Sequence, residues 1–99
     1  MPTSTAQVAT AKPMPYMKQL CKHFGHNNEV AFDDERGEIH LSGGVCRLDA
    51  RASSSLALSA TADDAESLER LTHVIGSHLE RFGSRDELAV SWSAAQTAA

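Results

Sequence analysis

Apolar residues recur along this chain with two different periods. In "AKPMPYMKQLCKHFG", Met17, Leu20, Cys21 and Phe24 fall at i, i+3, i+4 and i+7, which is one face of a helix. Pro15 suits the first turn, where its missing N–H leaves nothing unmet, and Gly25 suits the position past the last turn, where left-handed backbone is expected. "DDAESLERLTHVIGSHLERFG" predicts a second helix with Leu68, Leu71, Ile75, Leu79 and Phe82 along one side. Asp63, three residues before Glu66, predicts a capping box at its start, and Gly83 is expected to end it as Gly25 ends the first.

Elsewhere the period is two. "TAQVAT" reads as a short opening strand. Val30 and Phe32, Ile39 and Leu41, Cys46 and Leu48, then Leu56, Leu58 and Ala60 each alternate with polar or small residues. Turn residues separate these runs at "DDERG", "SGG" and Arg51 to Ser54, so the pattern predicts an antiparallel meander. A two-residue loop at Gly43-Gly44 would pair Ser42 with Val45, Leu41 with Cys46, His40 with Arg47, Ile39 with Leu48 and Glu38 with Asp49. After the charged loop "SRDE", Leu88, Val90 and Trp92 predict a last strand.

The predicted order is therefore β-α-β-β-β-β-α-β, and the fold class is α+β. The expected architecture is a two-layer sandwich, a curved antiparallel sheet with two helices on one face. Its other face would carry Glu38, His40, Arg47, Asp49, Ser55, Ala57 and Ser59, in contact with solvent or with a second copy in a homodimer. Residues 5–92 are expected to form a single domain, with 1–4 and 93–99 as flexible ends.

Composition narrows the partners more than the fold. Ninety-nine residues with 41% hydrophobic content suit one small soluble domain. Nine basic against thirteen acidic residues, a formal charge of −4, argue against binding nucleic acid through its phosphates. No apolar run approaches the ~18–20 residues that cross a bilayer, and no secretory leader is evident. No membrane partner and a cytoplasmic location are the expectations. In that compartment Cys21 and Cys46 would stay reduced.

The chemistry-bearing residues cluster at the helix ends. Cys21, His23 and His26 offer zinc-type ligands within six positions, with His78 or Cys46 as a fourth. On a helical wheel, however, Cys21 lies in the apolar stripe and His23 well over 90° away. Each then has a separate structural explanation: Cys21 in the core, His23 near the negative helix end, His26 just past the cap. His78 lies within the second helix's apolar stripe, so its imidazole needs a hydrogen-bond partner, whereas His73 falls on the wet side. Arg81 and Arg85 flank the end of that helix. They would either pair with Asp86 or Glu87, or form a corner that holds a carboxylate or phosphate. On the sheet, Glu38 opposite Asp49 beside His40 opposite Arg47 would form either an ordinary solvated face or a paired-carboxylate site. No nucleophile elbow or phosphate-binding glycine loop is present.

The pieces "YMKQLCKHFGH", "FDDERGEIHL", "GVCRLDA", "LALSATADDAESLERL" and "HLERFGSRDELAVSW" together resemble the bacterial family catalogued as domain of unknown function 2218, from Thr5 to Trp92. The family motifs fall on Leu20 to His26, on His78, Leu79, Arg81, Phe82 and Arg85, and on Trp92. Where the family usually has a lysine or similar residue this chain has Asn27, and where it usually has an apolar or aromatic residue this chain has Gly83-Ser84. Similar domains are attached to flavin-dependent siderophore-interacting reductases, so the resemblance implies a link to iron acquisition. The expected function is a non-catalytic accessory module of iron or siderophore metabolism, binding a siderophore-related ligand or a reductase. The implied ligand-binding residues are His23, His26, His78, Arg81 and Arg85. Two alternatives stand beside it: a small enzyme using a histidine as acid/base on an anionic substrate, and a structural homo-oligomer.

Overall fold

A computed structural model describes residues 2–41, 43–94 and 96–97. The chain order is β1 (Pro2–Ala9), α1 (Pro13–Phe24), β2 (Glu29–Phe32), β3 (Arg36–Leu41), β4 (Gly44–Asp49), β5 (Ser55–Ala62), α2 (Ala65–Phe82), a short 3-10 turn (Ser84–Asp86) and β6 (Gln96–Thr97). All strand pairs are antiparallel, in the order β2-β3-β4-β5-β1-β6. This is the expected α+β order. Strand alternation sends Val8, Ile39, Cys46, Leu48, Leu56, Leu58 and Ala60 inward, where they meet Met17, Leu20 and Cys21 of α1 and Leu68, Leu71, Ile75 and Leu79 of α2. Removing each of these large side chains from water contributes about 1.5–3 kcal/mol before entropy is counted.

Glycine at position 37 allows α1 to approach the sheet this closely. A Cβ there would lie 2.8 Å from Cys21 Sγ and 3.5 Å from Met17 Cγ. The turn before it is set by Asp33, whose Oδ1 accepts from the backbone N–H groups of Glu35 and Arg36 at 2.8 and 2.9 Å.

Several local expectations need correction. Neither helix ends in a left-handed glycine: Gly25 is right-handed helical at φ −65° and ψ −13°, and Gly83 has φ −98° and ψ 22°. At position 83 the requirement is steric, because a Cβ would run into the Leu88 side chain at Cγ and Cδ1. The cap of α2 is Asp64, not Asp63; its carboxylate accepts from the Ser67 N–H at 2.7 Å. Asp63 instead donates its N–H to Gly43 O at 2.9 Å.

The β3-β4 register is slipped by two residues from the expected one. Leu41 faces Gly44, His40 faces Val45, Ile39 faces Cys46 and Glu38 faces Arg47. Gly43, at φ +83°, takes the left-handed turn position that favours glycine. The expected partner of Val45, Ser42, lies outside the described residues.

Leu88, Val90 and Trp92 do turn toward the core, but the segment is not a strand. The Val90 N–H donates to Glu80 Oε2 at 2.9 Å, and Trp92 lies over Gly76, so this stretch is held against α2 instead of in a ladder. Pairing resumes at Ser93, whose N–H donates to Thr5 O at 2.7 Å, and continues in β6, opposite Pro2 and Thr3. Strand β1 accordingly begins at Pro2 instead of near Thr5. Ser4 is buried and donates its hydroxyl to Ser93 O at 2.6 Å. Of the expected loose ends, Met1, Ala95, Ala98 and Ala99 lie outside the described residues.

Candidate functional site

The last turn of α1 crosses the last turns of α2, and this crossing brings two of the candidate histidines together. The ring centroids of His23 and His78 are 5.0 Å apart, with their planes tilted by 40°. Phe24 lies 5.1 Å from each of them, and Phe82 lies 5.4 Å from His23 and 6.3 Å from His78. The result is an aromatic ridge in which each imidazole meets a phenyl edge or face.

The hydrogen-bond partner expected for His78 is the carbonyl of Val74, 2.7 Å from Nδ1. A carbonyl only accepts, so the proton on this nitrogen is assigned by its partner, and in the neutral ring Nε2 is left as an acceptor. His78 also lines a shallow cleft of about 320 Å³ with Ser77 and Arg81. Arg81 is exposed and makes no ion pair among the described residues.

His26 and Arg85 are not drawn into this arrangement. His26 is exposed beyond Gly25, and Arg85 is exposed within the 3-10 turn. The acid beside Arg85 is engaged elsewhere: Asp86 accepts the Tyr16 hydroxyl and pairs with Lys12 Nζ at 3.7 Å. The Tyr16 hydrogen bond, followed by the Lys12 charge, holds Asp86 below the usual carboxylate range; Asp86 in turn holds the phenol up.

The cysteines stay apart from the histidines. Burial pushes the Cys21 thiol up to about 11, while burial and then the neighbouring Cys21 push Cys46 up to about 12. A metal ligand must be a thiolate, and these positions disfavour that form. Among the described residues, no group of three His, Cys, Asp or Glu side chains is placed to hold a metal ion.

On the open sheet face the corrected register removes the expected carboxylate pair. Glu38 lies opposite Arg47, 3.8 Å from its Nε, and 2.7 Å from His40 Nε2. Asp49 faces Arg36 and is gripped by Arg51, Nη2 to Oδ2 at 2.7 Å, which holds its carboxyl at about 2. Arg36 and Arg51 are the residues that sequence reasoning missed here. Each sits in or beside a turn, and only the register shows that they flank one strand pair.

Taken together, fold and site define a two-layer α+β protein with a histidine-bearing helix junction on one side and a polar sheet face, which no helix among the described residues covers, on the other. The chain belongs to the family described as "Uncharacterized protein conserved in bacteria (DUF2218)", whose model matches residues 5–93. Among solved structures it is similar to the NMR structure of PA4090 from Pseudomonas aeruginosa. The identity is 32% and the TM-score 0.82, over 98% of this chain and 100% of that one. No curated protein matches the chain. None of its helices among the described residues is long and apolar enough to cross a membrane.

Proposed function

We propose that this protein is a cytoplasmic, non-catalytic accessory module of iron or siderophore metabolism, and that it meets an aromatic, anionic ligand at the junction of α1 and α2. The observation that carries the reading is the meeting of His23 and His78 with Phe24 and Phe82 beside the exposed Arg81. Aromatic faces and edges suit a planar ligand, and a guanidinium fork suits its oxyanions. Two imidazoles in ring-to-ring contact do not make a closed coordination sphere. Iron would therefore arrive already enclosed by its chelator, and the protein would recognise the chelate. The link to iron rests on the likeness to domains attached to siderophore-interacting reductases, and a reductase is the macromolecular partner it implies.

The test uses untagged protein titrated with a ferric tris-catecholate chelate and with the iron-free catechol, followed by absorbance and by shifts of the histidine ring protons. Saturable binding that is lost in His23→Ala and His78→Ala and weakened in Arg81→Gln is the expected result. Absence of saturation with either compound, or binding indifferent to all three substitutions, would end the proposal.

A further inference from the structure

The helices cover one face of the sheet, and two sizeable clefts lie on the other. One of about 670 Å³ runs across β1, β5 and β4, and another of about 460 Å³ opens beside it over β3 and β2. Arg36 and Arg47 line both clefts and stand between them; Arg51 lines the larger. The floor of the larger cleft is low because the outward positions of β5 and β1 are small, with Ala57 and Ser59 beside Thr5 and Gln7. A volume of this size is that of a small-molecule site.

The charges in this cleft are unevenly matched. Three arginines line it against a single carboxylate, Asp49, and Arg51 already takes both oxygens of that group. Arg36 makes no ion pair among the described residues. Arg47 has one long contact of 3.8 Å to Glu38, whose other oxygen His40 holds at 2.7 Å. Two guanidinium forks thus stand over a trough with their best hydrogen-bonding geometry unused, although the whole chain carries a formal charge of −4. Planar forks of this kind match carboxylate and phosphate oxygens in pairs.

We infer that the open sheet face is a binding site for a small anion, with its carboxylate or phosphate held between Arg36 and Arg47 and a narrow apolar body lying along Ala57. Hydroxyl and amide groups of Thr5, Ser59 and Gln7 complete the polar contacts. The site is separate from the helix junction and does not depend on the function proposed there.

The experiment is a titration of 15N-labelled protein with hexanoate and, separately, with phenyl phosphate, which distinguishes a carboxylate from a phosphate head. Saturable amide shifts at Thr5, Gln7, Ala57 and Ser59 are expected with at least one of them. Arg36→Gln and Arg47→Gln should each raise the midpoint about tenfold, the loss of one charge-assisted contact. Arg70→Gln, on α2, should leave it unchanged, and unperturbed spectra elsewhere would show that the variants fold. Three results would overturn the inference. They are shifts that rise linearly without saturation, wild-type midpoints in both arginine variants, and shifts at this face that follow protein concentration as the mass in solution doubles. The last would mean that a second copy of the chain covers the face.

Discussion

Alanine at position 37 would place its Cβ 2.8 Å from Cys21 Sγ, 3.4 Å from Phe32 Cβ and 3.5 Å from Met17 Cγ. The cysteine and methionine are fully buried, so neither has an open direction in which to move. Overpacking of this kind costs about 1–3 kcal/mol, and the loss of unfolded-chain freedom returns about 0.4–1 kcal/mol, leaving a net destabilisation of about 1–2 kcal/mol. For a domain of this length that lowers Tm by about 5–15 °C. Cys21→Ala removes the closest atom. In that background Gly37→Ala should be neutral or mildly stabilising, so the double-mutant cycle should show a coupling above about 1 kcal/mol. Guanidinium unfolding of the four chains, followed by far-UV circular dichroism, measures each term. If the two substitutions simply add, or if Gly37→Ala alone is as stable as the parent, α1 does not rest on the sheet through this contact and the packing argument fails.

Other consequences can be checked alongside. Gly83→Ala should destabilise by about 1–3 kcal/mol through its clash with Leu88 and do less damage in a Leu88→Ala background, where only the Cβ contact at 3.0 Å remains; equal damage in both would point to backbone conformation instead. By NMR titration Asp49 should show a midpoint near 2, and Arg51→Gln should raise it toward the ordinary value. Because the folded value is depressed, the pair's stabilisation is present above the unfolded value of about 4 and is lost as pH falls toward 2; an unmoved midpoint in Arg51→Gln would refute this. Cys21 and Cys46, buried with thiols raised to about 11 and 12, should resist a disulfide reagent in the native protein and react fully once it is unfolded. A rapid native burst would show that the core opens.

The sequence revealed what depends on periodicity and missed what depends on distance. Both helices and the meander were legible because Leu20, Cys21 and Phe24, or Leu56 and Leu58, repeat with the period of their element. The β3-β4 register was not legible. Ser42, Gly43 and Gly44 offer more than one place for a tight turn, and a slip of two residues keeps every side chain on its own face. The alternation of Leu88, Val90 and Trp92 marked real burial, but helix side chains and backbone ladders impose the same alternation on a chain. The candidate histidines were visible as residue types. Their meeting depends on how α1 crosses α2, which no spacing within either helix records. The arginine pair on the sheet was hidden in the same way, since Arg36 reads as part of a turn until its partner strand is known.

The sheet order also constrains how the protein is made. Strand β1 is made before the other strands of the sheet, yet its neighbours are β5 and β6, which begin at Ser55 and Gln96. The meander of β2 to β5 closes through neighbours in sequence, while β1 waits unpaired until β5 has been made. Its exposed positions during that interval are threonine, serine and glutamine more than large apolar residues, with Val8 as the main exception. A strand that must wait for its partner is thus written in residues that give other chains little to adhere to.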